Sequence, residues 1–327
     1  MTRIQKLLSF AIALGLVALG TAAAHAQAER YPARPIRIVV PFAAGGAVDT
    51  LARLVGGKLG ESIGQPVIIE NRAGAGGNLA AEIVAKAAAD GYTILLTTNG
   101  LAIAPSLYNK LPFDAAQDFR PVTQVVASAL VLVASPKSEL KTVQEFVAAA
   151  KARPGGLNYG STGIANPLHL TMEMIKIAAG LDVQPVPYRG DAPLMAALIA
   201  GEIEVAVVPM ITARPHIEGG RLRALAVTAG RRSSALPDVP TLMEQGVAVD
   251  SSSWNALFAP AQTPLEIVET IQRETRKVLG LADVRERIKG FGAEPVGSTP
   301  DEFAALFKAD ILRFARIVED AKIPKQD

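Results

Sequence analysis

Cysteine is absent from all 327 residues, which excludes a disulfide framework, thiolate metal sites and a cysteine nucleophile. Histidine is nearly absent: His25, His169 and His216 are too few and too scattered for a histidine-based metal cluster. No stretch reaches the roughly twenty consecutive apolar residues of a membrane-spanning helix. An excess of one charge is lacking as well, with 33 basic against 31 acidic residues. That balance argues against a nucleic-acid partner and against an electrostatic membrane anchor. Any ligand must be held by local groups.

What is present begins with a leader. Arg3 and Lys6 precede an apolar run from Leu7 to Leu19, about thirteen residues and short of a membrane span. Ala24-His25-Ala26 then fits a small-x-small cleavage site. The pattern predicts a signal peptide over 1–26 and export to the periplasm; an uncleaved anchor is disfavoured because nothing after Ala26 prolongs the apolar run. Cleavage removes Arg3, Lys6 and no acid, so the mature chain is formally neutral. Its length, about 300 residues, suffices for a core without disulfides and suggests two domains.

The mature sequence alternates short β-branched runs with Ala-rich amphipathic stretches, the pattern of βα units and a parallel sheet. Strands are expected at Ile36 to Val40, Val67 to Glu70 and Thr93 to Thr97, with helices between them where Leu51, Leu54, Val55 and Leu59 recur at helical spacing. An apolar passage from Val122 to Val133 is a candidate crossing between domains. A second α/β series follows, with a helix over Val143 to Ala152 and strands at Leu157 to Tyr159, Gln184 to Val186, Val205 to Val208 and Ala224 to Val227. Ser251 to Pro260 reads as another strand. Helices close the chain at Pro264 to Leu279 and Pro300 to Ile317, with Thr263 and Thr299 expected as N-caps and each proline in the first turn. The expected division is 27–125 with 256–327 as one discontinuous domain and 126–255 as the other.

Three strand-to-helix loops could carry binding. Pro41-Phe42-Ala43-Ala44-Gly45-Gly46 leads into a helix whose first turn holds Asp49, placing free N–H groups at a positive dipole end; a plain tight turn is the alternative. Gly160-Ser161-Thr162-Gly163 repeats the arrangement before His169, with Ser161 and Thr162 adding hydroxyls; caps serving only their own helix are the alternative. Tyr188-Arg189-Gly190-Asp191 is the third, where Arg189 would pair with a ligand carboxylate or simply with Asp191. His169 and Trp254 each fit packing as readily as ligand contact.

Enzyme signatures fail. Gly74-Ala75-Gly76-Gly77 lacks the third glycine of a dinucleotide fingerprint, because Leu79 stands there. Tyr159 stands where a nucleophile elbow around Ser161 would need glycine. No catalytic residue, metal ligand or cofactor is assigned.

Ordered matches run along nearly the whole mature chain: Pro41 to Asp49, Glu70-Asn71-Arg72 with Gly74 to Asn78, Asp90-Gly91-Tyr92, Gly160 to Leu170, Val186 to Gly190, and Leu236 to Thr241. In these residues the protein resembles the Bug (Bordetella uptake gene) family, the solute-binding receptors of tripartite tricarboxylate transporters. The resemblance implies an α/β, two-domain periplasmic binding protein fold of type II-like form, with a ligand cleft between the domains. It implies a receptor that is not an enzyme, acts as a monomer, encloses a small carboxylate by domain closure and delivers it to membrane transporter subunits. The alternatives are an α/β enzyme acting on a small carboxylate and a sensor without a transport role. Carried over, the contacts are Phe42, Ala43, Ala44, Gly45 and Asp49 from one domain and Ser161, Thr162 and His169 from the other. Thr98, Asn99 and Tyr188, Arg189, Gly190, Asp191 are weaker entries. Val208 stands where family members often carry an acid. Facing the cleft, it would favour a ligand without an amino group; packing in a strand is the alternative.

Overall fold

The computed structural model describes residues 31–162, 166–188 and 190–326. The expected signal peptide, Gly163 to Ala165 and Arg189 lie outside the described residues. The first βα series runs β1 (Ile36–Val40), α1 (Ala47–Ile63), β2 (Val67–Asn71), α2 (Asn78–Ala85), β3 (Thr93–Thr98) and α3 (Gly100–Leu107). The long β4 (Phe119–Ala134) leads to the second: α4 (Val143–Ala152), β5 (Asn158–Ser161), α5 (Pro167–Ala179), β6 (Gln184–Pro187), α6 (Asp191–Ala200), β7 (Val205–Pro209), α7 (Met210–Glu218) and β8 (Arg223–Val227). The chain returns on β9 (Ser252–Pro260) and ends with α8 (Leu265–Gly280), α9 (Ala282–Gly290), β10 (Ala293–Pro295) and α10 (Pro300–Asp320).

Hydrogen-bonded neighbours follow the order β2-β1-β3-β9-β4-β7-β5-β6, with β8 and β10 also on β4. Within each series the strands are parallel: β2, β1 and β3 in the first, β6, β5 and β7 in the second. The apolar passage anticipated as a crossing is β4. From Phe119 to Ala129 it lies antiparallel to β9, and from Leu130 to Ala134 it pairs with β7. One strand therefore belongs to both halves.

Strand alternation distributes the core over both faces of each half. Ile36, Ile38 and Val40 of β1 pack with Leu51, Val55 and Leu59 of α1 and with α8 and α9, while Val39 faces the cluster containing Phe303, Phe307 and Phe314 of α10. On β7, Val205 and Val207 join Phe146 and Met172, whereas Ala206 and Val208 join Leu194 and Val131. Strands buried on both faces read as continuous apolar runs, which is why Val205-Ala206-Val207-Val208 shows no polar alternation. Phe258 anchors an aromatic group, with ring centroids 4.9 Å from Phe307 and 5.1 Å from Phe303. Trp254 belongs to the same cluster and donates from Nε1 to the buried Asp310 carboxylate at 2.7 Å, so its role is packing.

One cap departs from expectation. Thr299 caps α10 in a full capping box with Glu302, but Pro264, not Thr263, holds the N-cap position of α8. Pro264 has extended backbone (φ −54°, ψ 141°), its carbonyl accepts from Val268 N–H, and the buried Thr263 hydroxyl has no partner.

Candidate functional site

Parallel strands end together, so the turns after β1, β2 and β3 share one edge of the first half, and those after β5, β6 and β7 share one edge of the second. The first turn is built around Asp49. Gly45 takes a left-handed conformation (φ +82°), turning its N–H onto Asp49 Oδ2 at 2.8 Å. Arg53 Nε donates to the same oxygen at 3.0 Å, and Asn71 Nδ2 donates both to Asp49 Oδ1 and to the Phe42 carbonyl at 3.0 Å. Burial pushes the Asp49 carboxyl up, but the hydrogen bonds from Arg53, Gly45 and Asn71 and the Arg53 charge together hold it below the usual carboxylate range. Both Asp49 oxygens thus accept bonds that hold the loop and join it to Asn71 of β2. Its bonds leave Ala43, Ala44 and Gly45 exposed, and Gly46 caps α1 without a side-chain hydrogen bond. The first N–H groups of α1 thus have no side-chain cap at the positive end of a 17-residue helix. The β2–α2 turn closes on this loop: a side chain at Gly77 would come within 3.1 Å of Pro41 Cβ.

In the second half, Asn166 rather than Ser161 or Thr162 caps α5. Its Oδ1 accepts from Leu168 and His169 N–H, each at 3.0 Å, and its Nδ2 donates to Thr162 Oγ1 at 3.0 Å. Because Thr162 Oγ1 receives that bond, its own hydroxyl proton is directed elsewhere, available to an acceptor. Ser161 is buried, and its carbonyl accepts from Tyr188 N–H at 2.7 Å, joining the β5 and β6 turns.

The two edges meet at β9. Asn99, at the end of β3, accepts from Ser253 Oγ at 3.0 Å; Thr171, in the first turns of α5, shares a 2.7 Å hydrogen bond with Ser251 Oγ. Leu170 of α5 packs into the α10 cluster of the first half. Ser253 of β9 and Ser251 just before it therefore tie Asn99 and Thr171 to the same short segment.

Residues 51–323 match the family described as "Tripartite tricarboxylate transporter family receptor". The chain belongs to this family. Protein BugT of Bordetella pertussis is 36% identical over 323 residues, 98% of each chain. A Rhodopseudomonas palustris protein solved with adipate superposes with a TM-score of 0.85 at 34% identity, covering 90% of this chain and all of that one. MatC from the same organism, solved with bound malate, gives 0.81 at 32% identity over 88% of this chain and 100% of its own. The fold is accordingly the two-domain α/β fold of these receptors, and the halves are its lobes.

Several carried-over residues stand differently from expectation. Val208 is 1% exposed and packs against Val131 and Leu194 inside the second lobe, so the argument from it against an amino group on the ligand falls. His169 is buried with Nδ1 hydrogen-bonded to Tyr159 OH at 2.9 Å, which commits its side chain inward on that side. Asn99 is buried with Oδ1 spent on Ser253, and Thr98 Oγ1 accepts from Gly100 N–H at 3.2 Å. Tyr188 is half-buried against the Val208 cluster. Gly190 (φ +108°) turns the chain into α6, and burial raises the Asp191 carboxyl. Arg189 has no described position.

Sequence reasoning missed Asn71, Arg53, Asn166, Ser251 and Ser253. Asn166-Pro167 carries a legible signal, since asparagine before proline is a helix start; Ser251 and Ser253 show their partners only once the fold brings Thr171 and Asn99 to them. Among the described residues no three His, Asp or Glu side chains group as a metal site would. Two surface hollows lie away from these loops, one of about 410 Å³ at Gln124, Arg276 and Glu302 and one of about 580 Å³ at Pro105, Glu319 and Lys322. The site is assigned by its donors, not by enclosed volume.

Proposed function

We propose that the protein is an exported receptor that captures a small carboxylate between its lobes and delivers it to the membrane subunits of a tripartite transporter, making and breaking no covalent bond. The observation that carries this is the pairing of two donor-bearing loops, Ala43 to Gly46 before α1 and Thr162 before α5, tied to one crossing segment through Asn99–Ser253 and Thr171–Ser251. A carboxylate accepts from backbone N–H groups at a helix N-terminus and from a directed hydroxyl. The adipate and malate held by relatives support the same chemistry. We assign the lobes to 27–125 with 256–327 and to 126–255; the change of partners on β4 between Ala129 and Leu130 supports that division to within a few residues. The leader supports periplasmic localisation.

Thermal unfolding of the mature protein with adipate, malate, benzoate and glutamate tests the reading. A carboxylate at about 100 times its Kd adds roughly 2.7 kcal/mol, a clearly raised midpoint. No shift with any of the four, and none with longer or branched carboxylates, would sink it. Glutamate belongs in the panel because Val208 no longer argues against an amine.

A further inference from the structure

Between β5 and α5 runs a buried polar chain of Tyr159, His169, Glu173 and Lys176. Tyr159, His169 and Glu173 are 1%, 4% and 7% exposed, set among Leu157, Leu168, Met172 and Ile175. Polar groups in such surroundings persist only when their hydrogen bonds are complete, and completeness here fixes where each proton sits. Lys176 Nζ donates to Glu173 Oε1 at 2.8 Å. Tyr159 gives its single hydroxyl proton to the same oxygen at 2.9 Å. The Tyr159 oxygen then has only lone pairs to offer His169 Nδ1, 2.9 Å away, so Nδ1 carries a proton, and in a neutral ring Nε2 is bare. A bare Nε2 repels a carboxylate instead of binding it.

The same chain brackets the loop. Tyr159 lies two residues before Ser161 on β5, and His169 lies three after Asn166, whose Oδ1 accepts the His169 N–H and whose Nδ2 reaches Thr162. Tethering Tyr159 to α5 therefore holds Thr162, three residues on from Tyr159, in register with Asn166 and so supports the Asn166–Thr162 hydrogen bond.

We propose that Tyr159, His169, Glu173 and Lys176 are positioning residues that hold Thr162 and Asn166 in place for solute, with His169 neutral, protonated on Nδ1 and taking up no proton when a carboxylate binds. This rests on the receptor reading above. Burial, opposed in part by Glu173, holds His169 below the usual histidine range, in keeping with a neutral ring.

The test uses the mature protein and whichever of adipate, malate, benzoate or glutamate raises its midpoint most. Nitrogen-15 NMR of His169 should show protonated Nδ1 and bare Nε2, both free and saturated. Calorimetry at pH 6.5 in two buffers of different ionisation enthalpy should show no proton uptake. Tyr159→Phe should still unfold in one transition yet bind about tenfold more weakly, the effect of one lost hydrogen bond to a charged network. Its His169 should populate both tautomers. Should that variant not fold, Glu173→Gln keeps the volume and lets an amide donate to Tyr159, reversing the chain and moving the proton to Nε2. An Nε2–H tautomer in the free wild type, or uptake approaching one proton per carboxylate, overturns the proposal. Undiminished binding by Tyr159→Phe overturns it while leaving the receptor reading intact. Failure of every carboxylate to bind overturns both.

Discussion

Two aspartates at helix starts, Asp49 in the first turn of α1 and Asp191 opening α6, illustrate opposite electrostatic situations. Asp49 accepts hydrogen bonds from Gly45, Arg53 and Asn71 and is held below its ordinary pKa, whereas burial alone raises Asp191. A depressed carboxylate contributes stability that is present above the unfolded value of about 4 and lost as pH falls through the folded value. A raised one does the reverse: its ionised form is penalised above the folded pKa, and the penalty vanishes in acid. Asp49→Asn should therefore destabilise at pH 7 by about 1–3 kcal/mol and weaken carboxylate binding, with the gap from wild type closing below about pH 4. Asp191→Asn should raise the midpoint at pH 7 by about 1–3 °C and leave it unchanged in acid. Midpoints measured from pH 3 to 8 check both. An Asp49→Asn effect that persisted into acid would show a steric origin. The bracing role of Asp49 was legible in its place in the first helical turn; its partner Asn71, 22 residues away at the end of another strand, was not, because no local pattern records which two loops a sheet brings together.

Elements followed the hydrophobic period closely. β1 and α4 match the expected spans, and most other strands agree to within a residue or two, because apolar runs bounded by Gly, Pro and Asp leave little choice of period. The polar α9 escaped notice: Val284 and Ile288 are its only buried residues, too few to make a stripe. The start of α8 exposed a different limit, since Thr263-Pro264 and Thr299-Pro300 look alike in sequence. Even the third residue onward fails to separate them, since Glu302 follows Thr299 and Glu266 follows Thr263 at the same spacing; only Thr299 forms the capping box, while at α8 the N-cap falls on Pro264. Thr299→Ala should accordingly cost about 1 kcal/mol, the ordinary effect of a lost cap. Thr263→Val, which replaces a buried unpartnered hydroxyl with a methyl, should be neutral or slightly stabilising. Urea midpoints of the two variants check the contrast; equal losses would mean that Thr263 holds a bond absent from this structure.

At the scale of the whole molecule, β4 makes the lobes thermodynamically interdependent. Multidomain chains commonly unfold in steps, each core melting by itself. Here the 16-residue β4 supplies Val122, Val125 and Val126 to the first lobe and Leu130 to Ala134 to the second, so neither lobe can melt without unpairing a strand continuous with the other's core. The Ser253–Asn99 hydrogen bond adds a polar tie between the same two bodies. Trp254 offers a clean probe: the single tryptophan lies just before the division at 255/256, and its side chain, 3% exposed, is buried in the first lobe's cluster with Phe258, Phe303 and Phe307. Fluorescence of Trp254 reports that lobe, whereas far-ultraviolet circular dichroism reports helices of both. Interdependence predicts coincident urea transitions by the two probes, and a joint shift when Phe146→Ala opens a cavity in the second lobe at a cost of about 3–5 kcal/mol. Independent lobes would instead show Phe146→Ala splitting the dichroism curve, with an early step that Trp254 does not see. A saturating carboxylate distinguishes the cases further: bound between the lobes it raises both transitions together, while a solute held by one lobe alone would move only that lobe's.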